Sequence, residues 1–177
     1  MTFSWAKLFV SVVLVVWWFA GPQYSFGGYG IATYGTIAGH VFYPLSHANV
    51  WHLLANILCL WMVRCELHLT TSFLLSVLCS FLPCFISEST CGFSGVLFAI
   101  VGMSWGRVKR FKDMLWRNKW WLVIPIFIPH VNALLHVYCL LAGWLIGRAG
   151  TRCQHRGHFW AQFNSSVDDH PVATIRI

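Results

Sequence analysis

The residues that could do chemistry begin with a serine between glycines. Gly92-Phe93-Ser94-Gly95 heads an apolar run that ends at Gly106. A serine hydroxyl becomes a useful nucleophile beside a base that takes its proton, and the tetrahedral intermediate it forms needs donors for its oxyanion. Other polar side chains within the apolar runs include His47, His52 and Asn56 in one, and His130, Asn132 and His136 in another. A histidine at the depth of Ser94 would be the base. The Ser94 backbone N–H, at a helix start, the Asn56 amide and the His52 imidazole can act as oxyanion donors. The competing reading treats Ser94 and the glycines as packing residues and the histidines as partners of neighbouring backbone.

Composition decides where these groups must work. Of 177 residues 58% are hydrophobic and only 10% are charged, with 11 Trp and 14 Phe; a soluble domain carries about a quarter charged residues. The expected fold class is an all-α integral membrane protein, a six-helix transmembrane bundle in one domain over residues 1–150, followed by a polar cytoplasmic tail over 151–177. The expected spans are Trp5–Ala20, His47–Val63, Leu69–Ile86 (bent or ended by Pro83), Gly92–Gly106, Trp120–Pro129 and His130–Gly147. A signal peptide is the alternative for the first, but no clear small-x-small cleavage site follows it. Gln23–Ser46, rich in Gly, Tyr and Phe, reads as an irregular loop at the membrane interface. The net charge of +7 raises the question of nucleic acid. With a cytoplasmic N-terminus, however, every Lys and Arg falls at the start, the 64–68 turn, the basic 107–119 loop or the segment from Arg148 onward. This positive-inside pattern explains the charge with a lipid bilayer as partner and no nucleic acid.

Polar groups deep in a membrane are costly and usually functional. The second, fourth and sixth spans run in the same direction, so depths compare by counting back from the first inside arginine of each. Ser94 is roughly 20 Å above Arg107, His136 roughly 18 Å above Arg148, and His52 roughly 18 Å above Arg64. His130 comes out near 27 Å by the same count, too high to meet Ser94. Asn56 lies one turn below His52 on the same face. Gly95, Ala99, Gly102 and Gly106 on one helix, and Gly143 and Gly147 on the other, permit close packing.

These residues resemble the rhomboid family of intramembrane serine proteases. His47, His52 and Asn56 stand at its His-x4-His-x3-Asn spacing, Gly92–Gly95 gives its Gly-x-Ser-Gly, and His136 is followed by Gly143 and Gly147. The resemblance implies a Ser94–His136 dyad without a carboxylate and an oxyanion hole from His52, Asn56 and the Ser94 amide. It further implies His47, Gly92, Gly95, Phe98 and Gly143 as structural support. Substrates would be transmembrane helices of membrane proteins, cut near the outer face of the bilayer at small residues, with the fifth span as lateral gate. No cofactor and no metal are implied. The expected location is a multi-pass position in a bacterial inner membrane with both termini cytoplasmic. Phe98 stands where many members have Tyr, Cys139 where many have Gly, and the first loop lacks a Trp-Arg pair.

The alternatives are a catalytically inactive rhomboid-like protein that binds transmembrane segments, a histidine metal site or transporter, and a structural or lipid-binding bundle. His47 and His52, five apart, pair poorly for one metal on a helix, and His-Glu-x-x-His is absent. Among the seven cysteines, Cys59, Cys65, Cys79, Cys84 and Cys139 lie within apolar runs and read as buried free thiols acting as small hydrophobes, with Cys91 the one to watch for reactivity.

Overall fold

The computed structural model describes residues 4–22, 24, 37–63, 68–82, 90–108, 112, 116 and 132–168, with side chains as far as 150. The described residues form α1 (Trp5–Ala20), α2 (Ile37–Phe42), α3 (Val50–Met62), α4 (Leu69–Ser80), α5 (Ser94–Gly106) and α6 (Ala133–Asp168), and no strand. The expected span Trp120–Pro129, His130 and most of the basic loop lie outside the described residues.

Local chemistry sets the boundaries. Ser4 accepts the Lys7 N–H through its side chain and opens α1. The Gly21 N–H closes the last turn on the Trp17 carbonyl at 2.8 Å, and Pro22 has no N–H with which to continue. α3 starts three residues later than expected. Asn49 is extended and its side-chain oxygen accepts the His52 N–H at 2.9 Å, which is N-cap behaviour. His47 therefore lies in the turn before the helix, not on it. α4 closes at Ser80, ahead of Pro83, whose ring disfavours helix in the residue before it. α2 occupies part of the stretch expected to be irregular. α6 was expected to end at Gly147; it runs on to Asp168.

α1 and α3 run antiparallel. The N-terminal turns of α1 meet the C-terminal end of α3, where the buried Lys7 ammonium donates to the Val63 carbonyl and the Trp61 indole donates to Ser11 Oγ at 3.2 Å. Lys7 thus neutralises carbonyls that a helix end leaves without intrahelical partners. The last turns of α4 lie beside the first turn of α5. α5 and α6 run parallel and touch along their backbones. A Cβ on Gly102 would meet the Leu140 carbonyl, one on Gly143 the Ala99 carbonyl, and one on Gly147 the Met103 carbonyl. Small residues at four-residue spacing allow this approach.

Leu14, Leu53, Leu60, Phe93, Val96, Leu97 and Ile100 form the main core. Outside it the polarity is inverted. Lys7, Ser11, Asn56, Ser72, Ser76, Ser80 and His136 are buried, while Trp5, Phe9, Phe19, Trp51 and Leu58 are exposed. Apolar surroundings favour this arrangement, since lipid rewards no exposed polar group. Ala133–Gly150 is the one stretch among the described residues long and apolar enough to cross a membrane by itself; α1, α3, α4 and α5 are shorter apolar helices.

Candidate active site

Ser94 is the first residue of α5. The turn before it depends on Gly92, whose φ of +116° suits glycine. The Gly92 N–H donates to the Tyr43 carbonyl at 2.8 Å. A Cβ on Gly92 would lie 2.5 Å from His52 Cε1 and 2.7 Å from His52 Nε2, so the imidazole rests directly on this turn. Helix geometry leaves the N–H groups of the first turn of α5 without intrahelical acceptors, aimed at the space in front of the serine.

Ser94 Oγ and His136 Nε2 are 2.8 Å apart. Phe98, one turn below Ser94, stacks on the His136 ring with centroids 4.4 Å apart and planes within 4°. This sandwich between a helix and a phenyl ring fixes the imidazole plane. For Ser94 to donate to Nε2, the ring proton must sit on Nδ1; that atom is buried with no hydrogen-bond partner among the described residues. In this arrangement the hydroxyl proton can move to the imidazole as the oxygen attacks an electrophile.

The other expected residues gather around this pair. His52 is half-buried on the Gly92 turn, and His47 meets it edge-on, centroids 5.2 Å apart. His47 is buried and its Nδ1 lies 3.2 Å from the Leu45 carbonyl, which holds the turn ahead of α3. Asn56 is buried on the His52 face of α3, and its Nδ2 donates to the His52 carbonyl at 3.0 Å. One amide proton is thus occupied within α3, and the second is what a ligand can use. Gly143 presses against the Ala99 backbone and sets the spacing of α5 from α6. Cys91 is the thiol that the sequence singles out to watch for reactivity. It is half-buried, it hydrogen-bonds the Ala48 backbone, and burial pushes its thiol above the ordinary range, so little thiolate is present at neutral pH.

Sequence reasoning missed the support behind the serine. Gly95 packs against Ser76 of α4, Tyr43 and Cys139 of α6. The fully buried Tyr43 hydroxyl bonds to both the Ser76 side chain and its carbonyl. One turn along α4, Ser80 Oγ pairs with His40 Nδ1 at 2.9 Å. The available signal was Ser72, Ser76 and Ser80 at four-residue spacing on an apolar helix, one polar stripe that has to face protein. Among the described residues no cluster of three His, Cys, Asp or Glu side chains could hold a metal ion.

Residues 34–159 match the family model of the Rhomboid domain, 126 of the 177 residues, from ahead of α2 into α6. The chain belongs to the rhomboid family. No curated protein matches it. Rhomboid proteins are integral membrane proteins and in general intramembrane serine proteases that act on transmembrane substrates, which agrees with the inverted polarity of this chain. Ser94, His52, Asn56 and His136 all fall inside the rhomboid match, and α1 falls outside it.

Proposed function

We propose that this rhomboid is an intramembrane serine protease in which Ser94 is the nucleophile and His136 the general base. The observation that carries the reading is the 2.8 Å approach of Ser94 Oγ to His136 Nε2 beside the stacked Phe98 ring. Ser94 Oγ attacks the carbonyl carbon of the scissile peptide while His136 Nε2 takes its proton. The Ser94 N–H, the free Asn56 amide proton and His52 hold the oxyanion. Collapse expels the amine, which takes the proton from His136, and water then hydrolyses the acyl-enzyme with the same histidine as base. A neutral imidazole suffices for both steps without a third carboxylate.

The substrates are transmembrane helices that unwind near small residues, cut near the outer face of a bacterial inner membrane. The parallel pairing of α5 and α6 supports a six-span topology, because the chain between Gly106 and Asn132 has to return to the end where α5 began. Residues 1–150 are then the membrane domain and 151–177 a cytoplasmic extension, with both termini inside.

The test is labelling of the purified, detergent-solubilised protein by a fluorophosphonate serine probe, beside Ser94→Ala and His136→Ala. Labelling of the wild type lost in both variants is expected. A folded wild type that stays unlabelled by a short probe refutes the protease reading in favour of an inactive rhomboid that binds transmembrane segments.

A further inference from the structure

The dyad residues sit on different helices, and each is preceded by a polar residue four positions earlier: Thr90 before Ser94 and Asn132 before His136. Those two residues meet. Asn132 Nδ2 donates to Thr90 Oγ1 at 3.0 Å. The same Asn132 opens α6: its side-chain Oδ1 accepts the Leu135 N–H at 3.1 Å, and its backbone carbonyl accepts the His136 N–H at 3.3 Å. Thr90 is buried and leads within two residues into Gly92, the turn that presents Ser94.

We propose that Thr90 and Asn132 form a clamp that sets the spacing and rotation of Ser94 against His136, with both acting as positioning residues; the proposal rests on the protease reading. The physical reason is where the other constraints end. Gly95 touches the Cys139 side chain of α6, and the backbone contacts of Gly102 with Leu140, Gly143 with Ala99 and Gly147 with Met103 follow further down, all of them below the dyad. Above it, where each helix starts and would fray, the Thr90–Asn132 bond joins the two strands of chain. The dyad thus lies between a backbone seam on one side and a side-chain bond on the other. Asn132 is suited to this because its two amide ends serve different partners, the carbonyl capping α6 and the amino group reaching across.

Three variants separate the clamp from the cap. Thr90→Val keeps the shape and removes the acceptor, Thr90→Ser keeps the hydroxyl, and Asn132→Ser keeps a good N-cap but is too short to reach. With the fluorophosphonate probe, the maximal labelling rate of Thr90→Val and Asn132→Ser is expected to fall by about three- to tenfold, the range of one neutral hydrogen bond. The half-saturating probe concentration should not change, and Thr90→Ser should label within about twofold of wild type by the same scale. The two losses should not multiply in the Thr90→Val/Asn132→Ser double variant, because both variants lose the same Thr90–Asn132 bond. The thermal midpoints of the same proteins should show the same non-additivity. Wild-type labelling by Thr90→Val, failure of Thr90→Ser to rescue, or losses that multiply would each overturn the clamp. If the wild type itself does not label, the protease reading fails, and additive midpoints would then overturn the clamp as well.

Discussion

A methyl group on Gly95 should misplace Ser94 without touching it. A Cβ there would lie 2.5 Å from Ser76 Oγ and 3.0 Å from the Tyr43 hydroxyl, whereas ordinary contact begins at 3.4 Å. The shortfall is ~0.9 Å against one oxygen and ~0.4 Å against the other. Neither can withdraw easily, since the two hydroxyls bond to each other in a fully buried place. Turning Ser76 away would leave a buried hydroxyl unpaired at about 1–3 kcal/mol. The alternative is for the head of α5 to move by most of an ångström, carrying the adjacent Ser94 away from the 2.8 Å contact with His136. Misplacement on that scale costs about 10²-fold in rate. Gly95→Ala should therefore label with a fluorophosphonate about 10²-fold more slowly. Adding Ser76→Ala, which removes the obstructing oxygen and leaves Tyr43 its bond to the Ser76 carbonyl at 3.1 Å, should recover most of the loss. Wild-type labelling by Gly95→Ala would refute the packing argument. Failure of the second substitution to rescue would refute the assignment of the clash to Ser76.

Asn56→Ala should lower peptide cleavage by about 10²–10³ if the free amide proton meets the oxyanion; cleavage at the wild-type rate would remove Asn56 from the site. Phe98→Tyr should keep the stack on His136 and label within a few-fold of wild type, while Phe98→Ala should label distinctly more slowly; equal labelling of all three would deny the ring any role. Lys7→Met should lower thermal stability by about 1–2 kcal/mol through the lost cap on α3, with labelling of the folded fraction unchanged, as differential scanning fluorimetry beside the probe would read. Cys91 should alkylate slowly at neutral pH and faster as pH rises through and beyond the ordinary thiol range, because its raised pKa delays the thiolate; rapid alkylation at pH 7 would contradict its burial.

How much of this was legible in sequence varied with the range of the interaction. α1 was readable to the residue because Gly21-Pro22 stops it locally. The depth count that matched Ser94, His136 and His52 worked because a helix converts sequence distance into height at a fixed rise. The start of α3 was misread at His47, although Asn49 before an apolar run is a recognisable N-cap; apolar neighbours outweighed it. Lys7 was visible as a lone charge in a span, but its carbonyl partners are more than fifty residues away and are fixed by packing alone. Thr90 and Asn132 likewise meet across 42 residues, with no periodicity to announce them. The close contacts on Gly95 come from Ser76 of α4, Tyr43 in the turn after α2 and Cys139 of α6, so no single stretch of sequence could show them.

The rhomboid match begins at residue 34, yet Leu14 of α1 is completely buried in the main core, and Lys7 closes the far end of the helix that bears His52 and Asn56. The part of the molecule with family likeness and the part that forms a mechanical whole therefore differ. A protein trimmed to the matched segment would lose a wall rather than an ornament. The helix carrying His52 and Asn56 would keep its sequence but lose the brace that sets its height, and a defect would pass to the candidate site from the end farthest from the serine.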